Sequence, residues 1–144
     1  MSNQNIDALN DTLKTLIDSR KGYEKACEMC DDTSLKSTLE SRADDRKQLI
    51  SDLQSRVREL GGEPESEGGA LGKAHRTLMD LTGSFSDNRE TALKSIDDGE
   101  DYLQSRIEIQ LETDDLEPQT RQLLERAKAS AYAGEHLADR LQDH

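Results

Sequence analysis

The sequence predicts an all-α fold, a four-helix bundle in which a long crossover joins two antiparallel hairpins. Apolar residues recur at spacings of three and four along four long stretches, which is the pattern of helices that each bury one face. Short turns separate the stretches within each pair. Residues 61–87 separate the two pairs, and that segment is too long for a tight helix hairpin. We therefore expect one domain, residues 1–144, with helices at about 5–30, 34–60, 87–113 and 118–142.

The composition fits a helical bundle with an aliphatic core. Hydrophobic residues make up 32% of the 144 positions and charged residues 35%, with one Phe and no Trp. The net charge of −12 disfavours contact with nucleic-acid phosphates or anionic lipid, so we expect neither partner. No apolar run approaches the roughly 20 residues of a transmembrane helix, and the first residues lack the pattern of a secretory signal. These features predict a cytoplasmic protein.

The first two helices form the first predicted hairpin. The buried face of helix one is expected to consist of Ile6, Leu9, Leu13, Leu16, Arg20, Tyr23, Cys27 and Cys30. A turn follows at residues 31–33, where Thr33 or Ser34 is expected to cap helix two. The buried face of helix two is expected to consist of Leu35, Leu39, Arg42, Ala43, Arg46, Leu49, Ile50, Leu53, Val57 and Leu60. Gly61 then supplies a left-handed C-cap.

The crossover and the second hairpin complete the bundle. Within residues 61–87, a short amphipathic segment at about 71–81 is expected to lie across the helices. The buried face of helix three is expected to consist of Ala92, Leu93, Ile96, Glu100, Leu103, Ile107 and Leu111. Pro118 suits the first turn of helix four. The middle of that helix carries small residues, Ala127, Ser130, Ala131 and Gly134, so a neighbouring helix or long side chains can come close there.

Cys27 and Cys30 form a Cys-x-x-Cys pair, which can be a redox pair or half of a zinc site. Redox pairs of this kind normally follow a strand, and a structural zinc ion needs four ligands. The sequence offers neither a strand pattern nor a second pair of cysteines. We therefore interpret the pair as two small buried apolar side chains.

Charged residues interrupt the apolar faces near the middle of three helices. They are Arg20 with Glu24 in helix one, Arg46 in helix two and Glu100 in helix three. Antiparallel packing would bring these side chains to one height in the bundle. A buried carboxylate needs a partner, and a planar guanidinium can serve two carboxylates at once. The sequence therefore predicts a central polar layer made of Arg20, Glu24, Arg46 and Glu100.

Three segments carry a family resemblance. They read L-x-x-L-I-D-S-R-K-G-Y-E-K-A at residues 13–26, R-x-x-L-I-S-D-L-Q-x-x-V-R-E-L-G-G at 46–62 and D-D-G-E-D-Y-L at 97–103. Through them, nearly the whole chain resembles a small bacterial family of ferritin-like four-helix proteins classified as a domain of unknown function. The resemblance implies a ferritin-like bundle. It implies no activity, because the family has no established one.

The resemblance also allows a test for di-iron chemistry. Ferritin-like di-iron sites take one Glu from each of two helices and a Glu-x-x-His from each of the other two. Glu24 and Glu100 match the single glutamates, but residues 43–46 and 131–134, at the other two motif positions, supply no ligand. Two carboxylates alone do not hold a di-iron pair. We therefore expect no metal and no cofactor, with Arg20 and Arg46 in place of the cations.

These observations predict a non-enzymatic bundle that acts through protein interaction or assembly, as a homodimer or with an unidentified protein partner. Tyr102, Ile109 and Tyr132 lie off the buried faces as contact points. Two alternatives remain open. One is a metal-binding protein or oxidoreductase with an atypical site, built from Glu24 and Glu100 with Asp44, Glu40 or His136. The other is a bundle that holds a small anion in a void beside the small residues of helix four.

Overall fold

Four helices make up the parts of the chain that the computed structural model describes, which are residues 2–67 and 88–142. They are α1 (Ser2–Met29), α2 (Thr33–Glu59), α3 (Asn88–Leu111) and α4 (Pro118–Gln142). The predicted all-α architecture of four helices is confirmed for these residues. The boundaries differ most at the start of α1, predicted at about residue 5 and found at Ser2. No helix in these two ranges has an apolar stretch long enough to span a membrane.

The helices pack so that α1 lies against both α2 and α3, and α3 lies against α4. Along α1, Asn5 bonds to Asp115, and Tyr23 bonds to Glu100 nearer the start of α3. Helices α1 and α3 are therefore antiparallel. Gly62, just after α2, contacts Ile6, so α2 is antiparallel to α1 as well and ends at the opposite end of the bundle from the start of α3. The predicted short helix at 71–81 lies outside the described residues.

The ends of α2 are fixed by local hydrogen bonds. The Asp32 carboxylate accepts from the backbone N–H of Leu35 at 3.1 Å, so Asp32 is the N-cap and the prediction of Thr33 or Ser34 is wrong. Asp32 has an extended backbone, as an N-cap requires, whereas Thr33 already begins the helix. At the other end, Gly61 adopts a φ of 87°, the left-handed conformation that glycine reaches without strain.

A buried asparagine ties the α3–α4 turn to the first turns of α1. Asn5 is 0% exposed, and its side chain donates to the carbonyl of Asp115 at 3.3 Å and accepts from the N–H of Glu117 at 2.8 Å. Asp115 has a φ of 62°, which is uncommon for a residue with a side chain. The two bonds hold this turn against α1, and Pro118 starts α4 directly after it, as predicted.

The apolar core consists of two clusters separated along every helix. The first is built from residues 8–17, 49–57, 103–107 and 124–131, and the second from residues 23–43, 92–96 and 138. The gap between them falls near residues 19, 46, 100 and 134, which is the middle of all four helices. The charged and polar side chains described next fill that gap.

Candidate functional site

A buried ion pair between Arg46 of α2 and Glu100 of α3 lies in the gap between the two apolar clusters. Arg46 is 0% exposed and Glu100 is 1% exposed. The guanidinium donates from Nη1 to Oε1 at 2.7 Å and from Nη2 to Oε2 at 2.5 Å, so the pair is bidentate. No other charged side chain is buried within the described ranges. Each member of the pair therefore neutralises the one buried charge of opposite sign.

Helix α1 contributes two hydroxyl groups to this pair. Tyr23 Oη donates to Glu100 Oε2 at 2.7 Å, and Ser19 Oγ lies 3.4 Å from Oε1. Arg46 Nη1 also donates to the Ser19 hydroxyl. A carboxylate offers about four acceptor positions, and the two guanidinium bonds and the two hydroxyls occupy that number. The Glu100 carboxylate is thus fully satisfied by donors from the protein.

The Tyr23 ring also faces the cations of the layer. The guanidinium carbon of Arg46 is 5.5 Å from the ring centroid and that of Arg42 is 5.9 Å, within the range of a cation–π contact. Burial, and after it the negative charge of Glu100, raise the pKa of Tyr23, so the phenol stays protonated and remains a donor. Burial lowers the pKa of Arg46, but the charge and hydrogen bonds of Glu100 more than offset this and raise it overall, so Arg46 stays charged.

The layer continues from Arg46 to the surface between α2 and α4. Ser130 Oγ accepts from Arg46 Nε at 3.2 Å and donates to the exposed carboxylate of Asp45 at 2.8 Å. Arg42 donates to the backbone carbonyl of Ser130 at 2.6 Å, and its Nη2 lies 3.7 Å from Glu100 Oε2. Hydrogen bonds therefore connect the buried carboxylate with the solvent on this side of the bundle.

Gly134 of α4 provides the space that Glu100 and Tyr23 occupy. A Cβ atom placed on Gly134 would lie 1.8 Å from Glu100 Oε2 and 2.6 Å from Tyr23 Oη, both far inside van der Waals contact. The sequence predicted that long side chains could approach the small residues of helix four, and this is where they do so. The space is filled by the protein's own side chains, which leaves none beside Gly134 for the small anion considered from sequence.

Arg20 and Glu24 do not join the layer, so this part of the predicted site is wrong. They form an ion pair with each other at 3.5 Å on one helix face, with side chains 36% and 49% exposed. Ser19 takes the inward position instead. Both Ser19 and Arg20 fit a spacing of three or four between Leu16 and Tyr23. A hydroxyl can lie beside the buried Arg46 guanidinium, whereas a second cation at that position would be repelled by it.

Sequence reasoning also passed over Tyr23, Arg42, Ser130 and Gly134 as site residues. All four lie on the apolar faces read from the sequence, so their inward direction was visible. The signal that was missed is that a buried carboxylate requires several donors. Tyr23 supplies one of them, and the Arg42 guanidinium adds a positive charge 3.7 Å from Glu100.

The predicted metal ligands are not brought together. Glu24, Glu40 and Asp44 are exposed, whereas Glu100 is enclosed by Arg46 and the α1 hydroxyls. His136 is exposed and packs edge-on against Tyr132, with ring centroids 4.4 Å apart. Cys27 and Cys30 are free and buried. Burial raises the pKa of the Cys27 thiol to about 11, which disfavours the reactive thiolate.

A separate group of carboxylates lies on the α3–α4 side. One oxygen from each of Asp97, Glu135 and Asp139 falls within 4.8 Å of the others. Gln104 donates to Glu135 at 3.0 Å. Burial, followed by the charge of Asp139 and a hydrogen bond with it, raises the pKa of Asp97 to about 6. Sequence reasoning missed this group, because it arises from the register of α3 against α4.

We expect Gly134→Ala to lower the free energy of unfolding by about 2 kcal/mol or more, because the added methyl group would displace Glu100 or Tyr23 from a fully bonded position. Urea denaturation measures the change. Gly99→Ala is the matched control, since its added Cβ meets no atom within 4 Å beyond its chain neighbours and the backbone of its own helix. It should gain up to about 1 kcal/mol from helix propensity. Equal effects of the two substitutions would contradict the packing described here.

Arg46→Met should lower the free energy of unfolding by about 3–5 kcal/mol near neutral pH, because it leaves the Glu100 carboxylate buried without its main partner. The double variant Arg46→Met/Glu100→Leu removes both charges and should be less destabilised than Arg46→Met alone. A double-mutant cycle by urea denaturation tests this. Additive effects would show that the two side chains do not interact.

Asp97→Asn should raise the melting temperature at pH 7.5. The folded-state pKa of Asp97, about 6, lies above its unfolded value of 3.8, so the charged carboxylate opposes folding above pH 6. This penalty disappears as the pH falls from 6 toward 4, because the folded protein then binds the proton more tightly than the unfolded chain does. The gain from Asp97→Asn should therefore shrink at pH 5. Asp101→Asn, an exposed change on the same helix, controls for net charge, and equal gains at both pH values would refute the assignment.

The chain matches one family model, described as a domain of unknown function, DUF2383, over residues 4–113. A search of curated proteins gave no significant match. The matched range covers α1, α2 and α3 almost completely, and it includes Ser19, Tyr23, Arg42, Arg46 and Glu100 of the central layer. Because the match extends over most of the 144 residues, the protein belongs to the DUF2383 family.

Proposed function

We propose that this protein is a non-catalytic four-helix bundle that acts through protein interaction or assembly. In this proposal, the Arg46–Glu100 layer lies where ferritin-like bundles carry a di-iron site. The observation that supports it most is the saturation of Glu100, whose two oxygens already accept from Arg46, Tyr23 and Ser19. A carboxylate bonded in this way has no oxygen left to bind a metal ion or to accept a proton from a substrate.

The layer then has a structural role, which is to select one arrangement of the helices. A buried ion pair adds little net stability, because removing two charges from water costs about as much as their attraction returns. Arg46 and Glu100 meet across the centre of the bundle, so an arrangement that shifted α2 along the bundle axis relative to α3 would separate them and leave both charges buried and unpaired. The ion pair therefore disfavours wrong arrangements more than it stabilises the right one.

Because the central layer has a structural role in this proposal, the bundle would act through its outer surface. Tyr102, Ile109 and Tyr132 are 38%, 52% and 56% exposed. Single exposed apolar side chains are common, and they do not identify a partner on their own. The proposal places the function on the outer helix faces. Its most direct test is the metal content of the purified protein, which should be low.

The second candidate is a metal-binding protein with an atypical site. The observation in its favour is the group formed by Asp97, Glu135 and Asp139, since carboxylate oxygens at such distances can ligate a divalent cation. Groups of exposed acids are also common without any ion, and Asp139 is exposed. Elemental analysis of the purified protein separates the two candidate functions.

Protein purified without chelators should contain far less than one equivalent of iron, manganese or zinc by elemental analysis. Glu24→Ala and Glu100→Ala should leave that content unchanged, because neither carboxylate holds an ion in the proposed function. Near-stoichiometric metal that is lost in Glu100→Ala would refute the proposal. Metal that is retained in Glu100→Ala but lost in Asp139→Asn would instead favour the atypical site.

A further inference from the structure

The side of the bundle between α2 and α4 differs from the other sides. These two helices approach closely at few positions, and long side chains bridge them instead. Arg126 of α4 forms an ion pair with Asp52 of α2, and Arg56 of α2 reaches Glu117 at 3.4 Å. A groove of about 1010 Å³ lies along this seam.

The groove is balanced in charge, unlike the chain as a whole. The charged residues lining it, called here the α2–α4 face, are Asp52, Arg56, Glu59, Arg121, Glu125 and Arg126. Three are basic and three are acidic, whereas the full chain has 19 Lys and Arg against 31 Asp and Glu. An average face of this protein is therefore negative, and two such faces repel each other.

We infer that the α2–α4 face is the surface on which a second copy of this chain docks. This inference rests on the proposed function and names its partner. A two-fold dimer brings the same face of both copies together, so the face must be complementary to itself. A face of one sign cannot meet this condition, whereas one that carries basic and acidic side chains in equal number can pair each with its opposite on the partner.

The individual side chains of this face fit such a contact. Arg126 and Glu59 are 50% and 60% exposed, so their charged groups reach solvent although each has a partner within the chain. Arg121 and Glu125 are exposed at a spacing of four on α4. Arg121 donates to the backbone carbonyl of Leu111, and neither residue forms an ion pair with another of the described residues. Leu123 is half-buried in the same groove and adds apolar area to the contact.

Two charge-reversal variants test the inference by analytical ultracentrifugation. Arg121→Glu/Arg126→Glu makes the face acidic, and Glu59→Lys/Glu125→Lys makes it basic. Each variant alone should raise the dimer dissociation constant at least about tenfold, because it sets like charges opposite each other. An equimolar mixture should form a heterodimer at a concentration where each variant alone is monomeric.

Net charge alone cannot reproduce this pattern. The first variant makes the chain more negative and the second makes it less negative, so general repulsion would weaken one dimer and strengthen the other. Tyr102→Ser/Ile109→Ser changes two exposed apolar side chains of α3, a helix that contributes no residue to the groove, and should leave the dissociation constant unchanged. Circular dichroism and thermal melting confirm that each variant is folded.

Three results would overturn the inference. The first is a wild-type chain that stays monomeric at several hundred micromolar. The second is a dimer that is insensitive to both reversals, and the third is one that dissociates only in the Tyr102→Ser/Ile109→Ser variant. None of these results bears on the metal analysis, so a failure of the inference can be told apart from a failure of the proposed function.

Discussion

The bidentate contact between Arg46 and Glu100 constrains the whole centre of the bundle. Both side chains are excluded from water, so every remaining donor and acceptor on them needs a partner from the protein. Helix α1 supplies the hydroxyls of Ser19 and Tyr23 as hydrogen-bond partners, and α4 supplies the hydroxyl of Ser130. All four helices thus contribute to one layer, and the two apolar clusters on either side of it are held in mutual register.

Space at this layer is as important as charge. Gly134 weakens the helix propensity of α4 by about 1 kcal/mol relative to alanine. In return, its missing side chain leaves room for a carboxylate oxygen and a phenol oxygen that no other residue would allow. A stretch of small residues in a bundle can therefore reflect a bulky group on a facing helix and not only a close approach of two backbones.

The sequence was sufficient to predict the four helices, because a period of three and four depends only on which face of each helix is apolar. It also identified Arg46 and Glu100, since each of them interrupts an apolar face near the middle of its helix. It could not decide between Ser19 and Arg20, which are adjacent and both compatible with that period. That choice depends on how α1 is rotated against α2 and α3, and rotation is a property of packing. The same reason hid the carboxylates of Asp97, Glu135 and Asp139, which come from two helices.

The placement of the two central charges on different hairpins has a consequence for how the chain folds. The cation belongs to the α1–α2 hairpin and the anion to the α3–α4 hairpin, so neither half can bury its own charge alone. Each hairpin on its own must keep its ionised group hydrated, which holds that part of its apolar surface open to water. Only the meeting of the two halves removes both groups from solvent together. Each hairpin therefore completes its apolar packing only when the other hairpin is present. In a half-assembled molecule, water still surrounds the charged group at the centre.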